Sequence, residues 1–403
     1  MLPGQPTSRP IIQLAACTAI VATALATMAA TPRPGPAKTP AMRYHWTTLA
    51  PSPLGKRSDP VINWTGKQLI ELGGLRKGRP ANTGAGYDPA TNRWHLIKPV
   101  GANVGFTGAV TAWTGTQLFV TNGQPGRCPA PSTVCRPLAG LYDPATNEWT
   151  TTVWPRKLTG FAPTSAVWTG HLVVLAAVRV SPQVNHSQLA VATYTPATKR
   201  WQLITPAPIR RHPVQDAVMV PTPRGVILWT PWNRVKKIKN GSEGWSGTDI
   251  RILRSSGNWH RYTGSWPQDQ TITDPTFTGK SVLVSPGGIW CGNCSPPLAV
   301  FDGYFVNPAT LHRSIIKGGP LGQSEPGYVW TGRQIFAVNL DASITGPRLR
   351  IRPDDLAAYN PATKAWHLLP ALPRRPDLAG IPVWADRELL ALTASGRLWA
   401  LRK

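Results

Sequence analysis

The sequence predicts an all-β ring of seven four-stranded antiparallel blades, a β-propeller. Three observations carry that reading. A turn phrase recurs: Tyr-Asp-Pro-Ala-Thr-Asn begins at Tyr87 and Tyr142, close variants begin at Tyr194 and Tyr359, and a degraded copy begins at Val306. A second phrase alternates with it: Trp-Thr-Gly and an apolar run begin at Trp64, Trp113, Trp168 and Trp330, with weaker copies from Thr222, Phe277 and Trp384. The period is about 50 to 55 residues, which suits one propeller blade. Beyond residue 40 no run of ten or more residues has an apolar period of 3.6, while turn dipeptides and β-branched residues abound.

Each unit reads as four strands in order. The first ends at Trp-Thr-Gly, where glycine permits the tight turn. The second is largely apolar and often ends in glycine. The third ends at tyrosine, and Asx-Pro-Ala-Thr then reverses the chain, because proline fixes φ and the Asx side chain bonds the turn backbone. The fourth opens with tryptophan, whose large apolar body can pack between neighbouring blades. No unit can bury both faces of its own sheet, so the units must stack.

The pattern resembles the kelch-type β-propeller of the galactose-oxidase-like superfamily, in its bacterial secreted or membrane-anchored form. Gly73-Gly74, Tyr87 and Trp94 match the kelch doublet, tyrosine and tryptophan, and Gly287-Gly288 supplies a second doublet. The other blades lack the full doublet. Blade 4 has lost the Asx-Pro turn, and blade 5 has Arg313 where tryptophan belongs. The resemblance spans roughly residues 42–403 and implies a fold, not a function. The copper chemistry of galactose oxidase does not follow from it. Tyr44, Tyr87, Tyr142, Tyr194 and Tyr359 belong to repeat strands, His45, His95, His260 and His367 flank repeat tryptophans, and the cysteines look paired. No cofactor is expected. Sialidase boxes, a P-loop, a GxSxG elbow and HExxH are all missing from the sequence.

Seven first halves face six second halves, and the chain stops one strand short at Lys403. The segment Arg43-Tyr44-His45-Trp46 reads like Asn92-Arg93-Trp94-His95. Residues 44–49 are therefore expected to pair with the blade built from 381–401 and close the ring, removing both open sheet edges.

The division of the chain follows: 1–30 a signal peptide or membrane anchor, 31–41 a Pro-rich linker, 42–403 the propeller. Residues 11–30 are apolar and uncharged, with Arg9 before them, and either export role fits. Leu14-Ala15-Ala16-Cys17 resembles a lipoprotein cleavage box, although the apolar run lies mostly after the cysteine. The body of the protein is expected outside the cytoplasm. There Cys128, Cys135, Cys291 and Cys294 are expected to form two disulfides of undecided connectivity; a zinc site from both pairs is the alternative.

The net charge of +25 implies attraction to polyanions. The turns between strands one and two, and three and four, are tight. The loops between strands two and three are longer and, with the connections between blades, share the other face, so function is expected there. These loops carry Arg76, Lys77, Arg79, Arg127, Arg136, Arg234, Lys236, Lys237, Lys239, Arg348, Arg350 and Arg352, interleaved with Trp232, Trp245 and Trp290. Cations beside aromatic platforms suit anionic polymers or sugars. The longest, 230–249, reads as a loop of about 20 residues, a length usually functional or mobile. Asp59, Asp216 and Glu325 occupy equivalent positions near the channel mouth, where they either converge or simply cap turns.

The expected function is non-enzymatic recognition of an anionic envelope polymer, acidic glycan or acidic protein by this basic, aromatic-bearing face. Membrane contact through residues 11–30, a monomer and no specific nucleic acid complete the expectation. The alternative is a carbohydrate-active enzyme with its site at the central channel mouth.

Overall fold

The computed structural model describes residues 44–101, 105–121, 138–179, 188–204, 216–238, 241–262, 275–285, 303–317, 319–321, 326–339, 356–373 and 378–403, with the backbone alone for 233–238, 241–246, 326 and 339. The chain divides after Arg43, and every described residue belongs to the second unit, Tyr44–Lys403. Among the described residues no helix is long and apolar enough to cross a membrane. The segment 11–30 and all four paired-cysteine candidates lie outside the described residues.

Seven four-stranded antiparallel sheets form the propeller. Blade 1 comprises Val61–Trp64, Leu69–Leu72, Gly84–Asp88 and Arg93–Ile97. Blade 2 runs from Thr111–Trp113 to Glu148–Thr152, and blade 3 from Ala162–Trp168 to Arg200–Ile204. Blade 4 runs from Val218–Thr222 to Trp259–Arg261, and blade 5 from Thr276–Phe277 to Arg313–Ile316. Blade 6 runs from Pro326–Trp330 to Ala365–Leu369. Blade 7 takes three strands, Val383–Ala385, Glu388–Leu392 and Leu398–Arg402, from the end of the chain, and its fourth, His45–Thr48, from the beginning. Its register is His45 opposite Arg402 through Thr48 opposite Trp399, so the ring closes as expected.

The core lies between blades. On the second strand of blade 3, Val173, Leu175 and Ala177 face blade 2, while Val174, Ala176 and Val178 face blade 4. A strand buried on both faces reads as a continuous apolar run, which explains the apolar stretch after each Trp-Thr-Gly. Tyrosine and tryptophan of the repeat meet within blades 1, 2, 3 and 6, at ring-centroid distances of 5.2 Å for Tyr87–Trp94 and 5.0 Å for Tyr359–Trp366. The tryptophan Nε1 then donates across the joint to the preceding blade: Trp94 to Ala50 O at 2.8 Å, Trp149 to Lys98 O at 2.7 Å, Trp201 to Thr152 Oγ1 at 3.0 Å. Trp366 and Trp46 do the same to Lys317 O and Pro370 O. These indoles pin five of the seven joints.

Blade 4 departs from expectation. Residues 230–249 are not a loop but the outer part of a long hairpin, Gly225–Ile238 paired with Gly241–Leu253. The ladder is continuous from Val226–Leu253 to Ile238–Gly241. Its flanking strands pair only with its base, so Thr230–Asp249 onward is a two-stranded ribbon.

Candidate functional site

A cavity of about 520 Å³ on the predicted functional face lies beside blade 1. Three pieces of chain build it. Leu54–Ser58 comes from the connection between blades 7 and 1, Leu75–Gly78 from the loop after the second strand of blade 1, and Ala394 from the corresponding loop of blade 7. Four cationic side chains line it, Lys56, Arg57, Arg76 and Lys77, and no carboxylate does. A small hairpin, Leu75–Arg76 against Arg79–Pro80, holds two of them, with Lys77 in the left-handed region at φ 51°.

Arg57 anchors the cavity. It is 3% exposed and donates from Nη1 to the Gly73 carbonyl at 2.7 Å and from Nη2 to Thr83 Oγ1 at 2.6 Å. Its Nε is buried with no hydrogen-bond partner. Burial lowers the Arg57 pKa, an effect opposed by the charge of Glu71. Glu71, on the second strand of blade 1 and 2% exposed, accepts a hydrogen bond from the Ser52 hydroxyl. Burial raises its pKa, against the lowering influence of Ser52 and Arg57. The Gly73-Gly74 doublet makes this assembly fit. A Cβ on Gly73 would meet the Phe106 carbonyl at 2.3 Å, and one on Gly74 the Ser58 carbonyl at 2.7 Å.

Arg76 and Lys77 line the cavity, and Arg79 pairs across from Arg76 without lining it. Lys56 and Arg57 were missed, because a Gly-Lys-Arg-Ser connection looks like any solvated basic turn; its only signal is a place on the predicted face. On the blade 4 ribbon, Trp232 packs across Gly247, where a Cβ would lie 2.5 Å from the indole. Arg234, Lys236 and Lys237 of that strand are opposite Trp245, Glu243 and Ser242 in register. Lys239, Arg127, Arg136, Trp290, Arg348, Arg350, Arg352 and Glu325 lie outside the described residues.

Asp59 and Asp216 belong to the entries of blades 1 and 4. Asp59 is exposed in the left-handed region at φ 52°, and Asp216 accepts the Ala217 amide at 2.7 Å. Among the described residues the two share no hydrogen bond or ion pair, and the described inner strands carry no charged side chain. Polar joints there are neutral, as where Asn63 donates to Thr111 Oγ1 at 3.3 Å.

No family model and no curated protein matches the sequence. Solved structures do match. The protein YjhT aligns over 68% of this chain and 88% of its own at 18% identity and TM-score 0.47. A fungal alcohol oxidase of the AA5 family, solved in complex with copper, aligns over 89% of this chain and 76% of its own at 10% identity and TM-score 0.55. The second likeness shows a shared propeller fold. Among the described residues no three His, Cys, Asp or Glu side chains come together to hold a metal ion.

Proposed function

We propose that the protein is an extracytoplasmic binding propeller whose loop face recognises an acidic glycan or cell-wall polymer. The N-terminal apolar segment exports or tethers it, and the Pro-rich stretch after that segment acts as a spacer. One observation supports the reading above all: four cationic residues, Lys56, Arg57, Arg76 and Lys77, line one cavity that no carboxylate lines. Hydrogen bonds from cationic donors to an anionic oxygen are stronger than neutral ones, so an anionic group entering the cavity would gain charge-assisted contacts. The adjoining cations of the same face would extend the contact along a polymer.

The test is equilibrium binding of the full chain to an acidic and a neutral polysaccharide across a salt series. Nonspecific attraction weakens alike for every polyanion as salt rises. Retention of one acidic polymer at physiological salt is expected, with Arg76→Ala/Lys77→Ala weakening it at least about tenfold. Arg93→Ala, a charge change on an exposed outer strand, should leave it unchanged. Equal losses for both variants would reduce the attraction to net charge and defeat the reading.

A further inference from the structure

On the opposite, turn-bearing face, a second cavity of about 670 Å³ opens between blades 5 and 6. One position of the repeat, occupied in blade 6 by Lys364, contributes to its lining. The last residue of the Asx-Pro-Ala-Thr-x turn is left-handed in five blades: Asn92, Asn147, Lys199, Leu311 and Lys364, all at φ between 53° and 57°. In blades 1 and 2 this asparagine seals the joint. Asn92 Oδ1 accepts from the Tyr87 hydroxyl and from the Ala50 amide of blade 7, each at 2.9 Å. Asn147 Oδ1 accepts from Tyr142 and from the Lys98 amide, and its Nδ2 donates to the Leu96 carbonyl at 3.1 Å. In blade 5 the position is Leu311, buried among the blade 4 core residues, an apolar plug. In blade 6 it is Lys364. An ammonium has no lone pair to offer, so it can replace neither acceptor bond.

The seam between blades 5 and 6 has a definite chemistry. Phe305, Trp330 and Tyr359 wall it, and Lys280, Lys317 and Lys364 surround it, with no acid among the lining. Phe305 and Trp330 meet edge to face at 6.4 Å, which fixes the wall. The backbone of Lys317 is held by its carbonyl, which accepts the Trp366 indole at 3.0 Å. The volume is that of a small-molecule site. Aromatic walls take the body of a ring, and ammonium groups at the rim take a carboxylate.

We propose that this seam is a second binding site, for a ring-bearing carboxylate of one or two rings, with Lys317 and Lys364 gripping the carboxylate. It is independent of the basic cavity on the loop face. Two sources share this chemistry, an acidic sugar unit and an aryl acid, and the experiment separates them.

The full chain is titrated with a glucuronate disaccharide, a naphthoate, the neutral disaccharide cellobiose and inorganic phosphate, following heat and tryptophan emission. The decisive variant is Lys364→Asn, which restores the residue that seals the joints at blades 1 and 2. Binding of one ring carboxylate is expected, with cellobiose and phosphate at least about tenfold weaker. Lys364→Asn should lose about tenfold or more in affinity while its melting temperature stays equal or rises. Lys317→Ala should lose a similar factor. A disaccharide preference identifies the sugar source, and a naphthoate preference the aryl source. The proposal is overturned if no ring carboxylate binds, if phosphate binds as tightly, or if folded Lys364→Asn binds as wild type does.

Discussion

A methyl group on Gly73 would sit 2.3 Å from the Phe106 carbonyl and 2.4 Å from its Cβ, and φ there is +69°. Neither neighbour is a flexible tip that can swing away. Gly73→Ala is therefore expected to cost roughly 3 kcal/mol or more, read as a shift in the urea midpoint. Gly55, also at positive φ but with open space around it, should lose only the strain of the left-handed backbone when changed to alanine, about 1–2 kcal/mol. A few ångströms away, Glu71 carries a pH dependence. Its carboxyl is held above its ordinary value chiefly by burial, so the folded state prefers the proton. The sign follows by linkage: its contribution favours folding below the ordinary carboxylate pKa and is lost as pH rises through the raised one. The difference in melting temperature between wild type and Glu71→Gln should fall as pH climbs from about 4.5. A flat difference would mean that Glu71 titrates as if exposed. At this scale the doublet was legible because only glycine tolerates such an approach. Arg57 was not, because nothing in a local Lys-Arg pair reveals that one of the two cations points inward.

Among elements, the fourth strand of each blade does most to hold its neighbour. Trp149 donates to Lys98 O and stacks on Phe106 at 5.7 Å with a 14° interplanar angle. Trp149→Phe keeps a ring but leaves that carbonyl without the indole, for an expected loss of about 1 kcal/mol by chemical denaturation. Trp259 makes the converse case. Its Nε1 is buried without a partner, so Trp259→Phe removes an unsatisfied donor and should be neutral or stabilising. If the two substitutions cost the same, ring volume rather than the pin holds the joints. The strands themselves were legible, because turn residues and tyrosine–tryptophan spacing are local. The blade 4 ribbon was not. Its sequence, Val-Lys-Lys-Ile-Lys-Asn-Gly-Ser-Glu-Gly, lacks the period-two apolar alternation that marks a half-buried strand. The Asn240-Gly241 pair at its tip was the remaining hairpin signal.

For the whole molecule, the ring is closed by backbone bonds from opposite ends of the chain. Four register pairs join His45–Thr48 to Leu398–Arg402, and the Leu49 amide extends the seam to the Leu398 carbonyl at 2.9 Å. Tyr44 and Leu49 are buried there, Tyr44 against Phe336 of blade 6 and Leu49 among the residues joining blades 7 and 1. The seam was readable in sequence because strand counting left one blade incomplete, and only a segment resembling the missing fourth strand could fill it. An internal deletion of residues 44–50 removes that strand, the Trp46 pin to Pro370, and the Ala50 carbonyl that receives Trp94. Two buried side chains and one partly buried indole at about 1.5–3 kcal/mol each approach the total stability of an ordinary domain. The deletion should therefore abolish the cooperative melting transition, or lower its midpoint by more than 10 °C on the usual scaling of about 2–4 °C per kcal/mol. It should also expose Leu398–Arg402 as an open edge prone to pairing between molecules, visible as concentration-dependent association in sedimentation. A synthetic peptide spanning 43–51, added to the deleted protein, should restore the transition in proportion to its occupancy. An unchanged melting curve without the peptide would show that the packing between blades alone holds the ring shut.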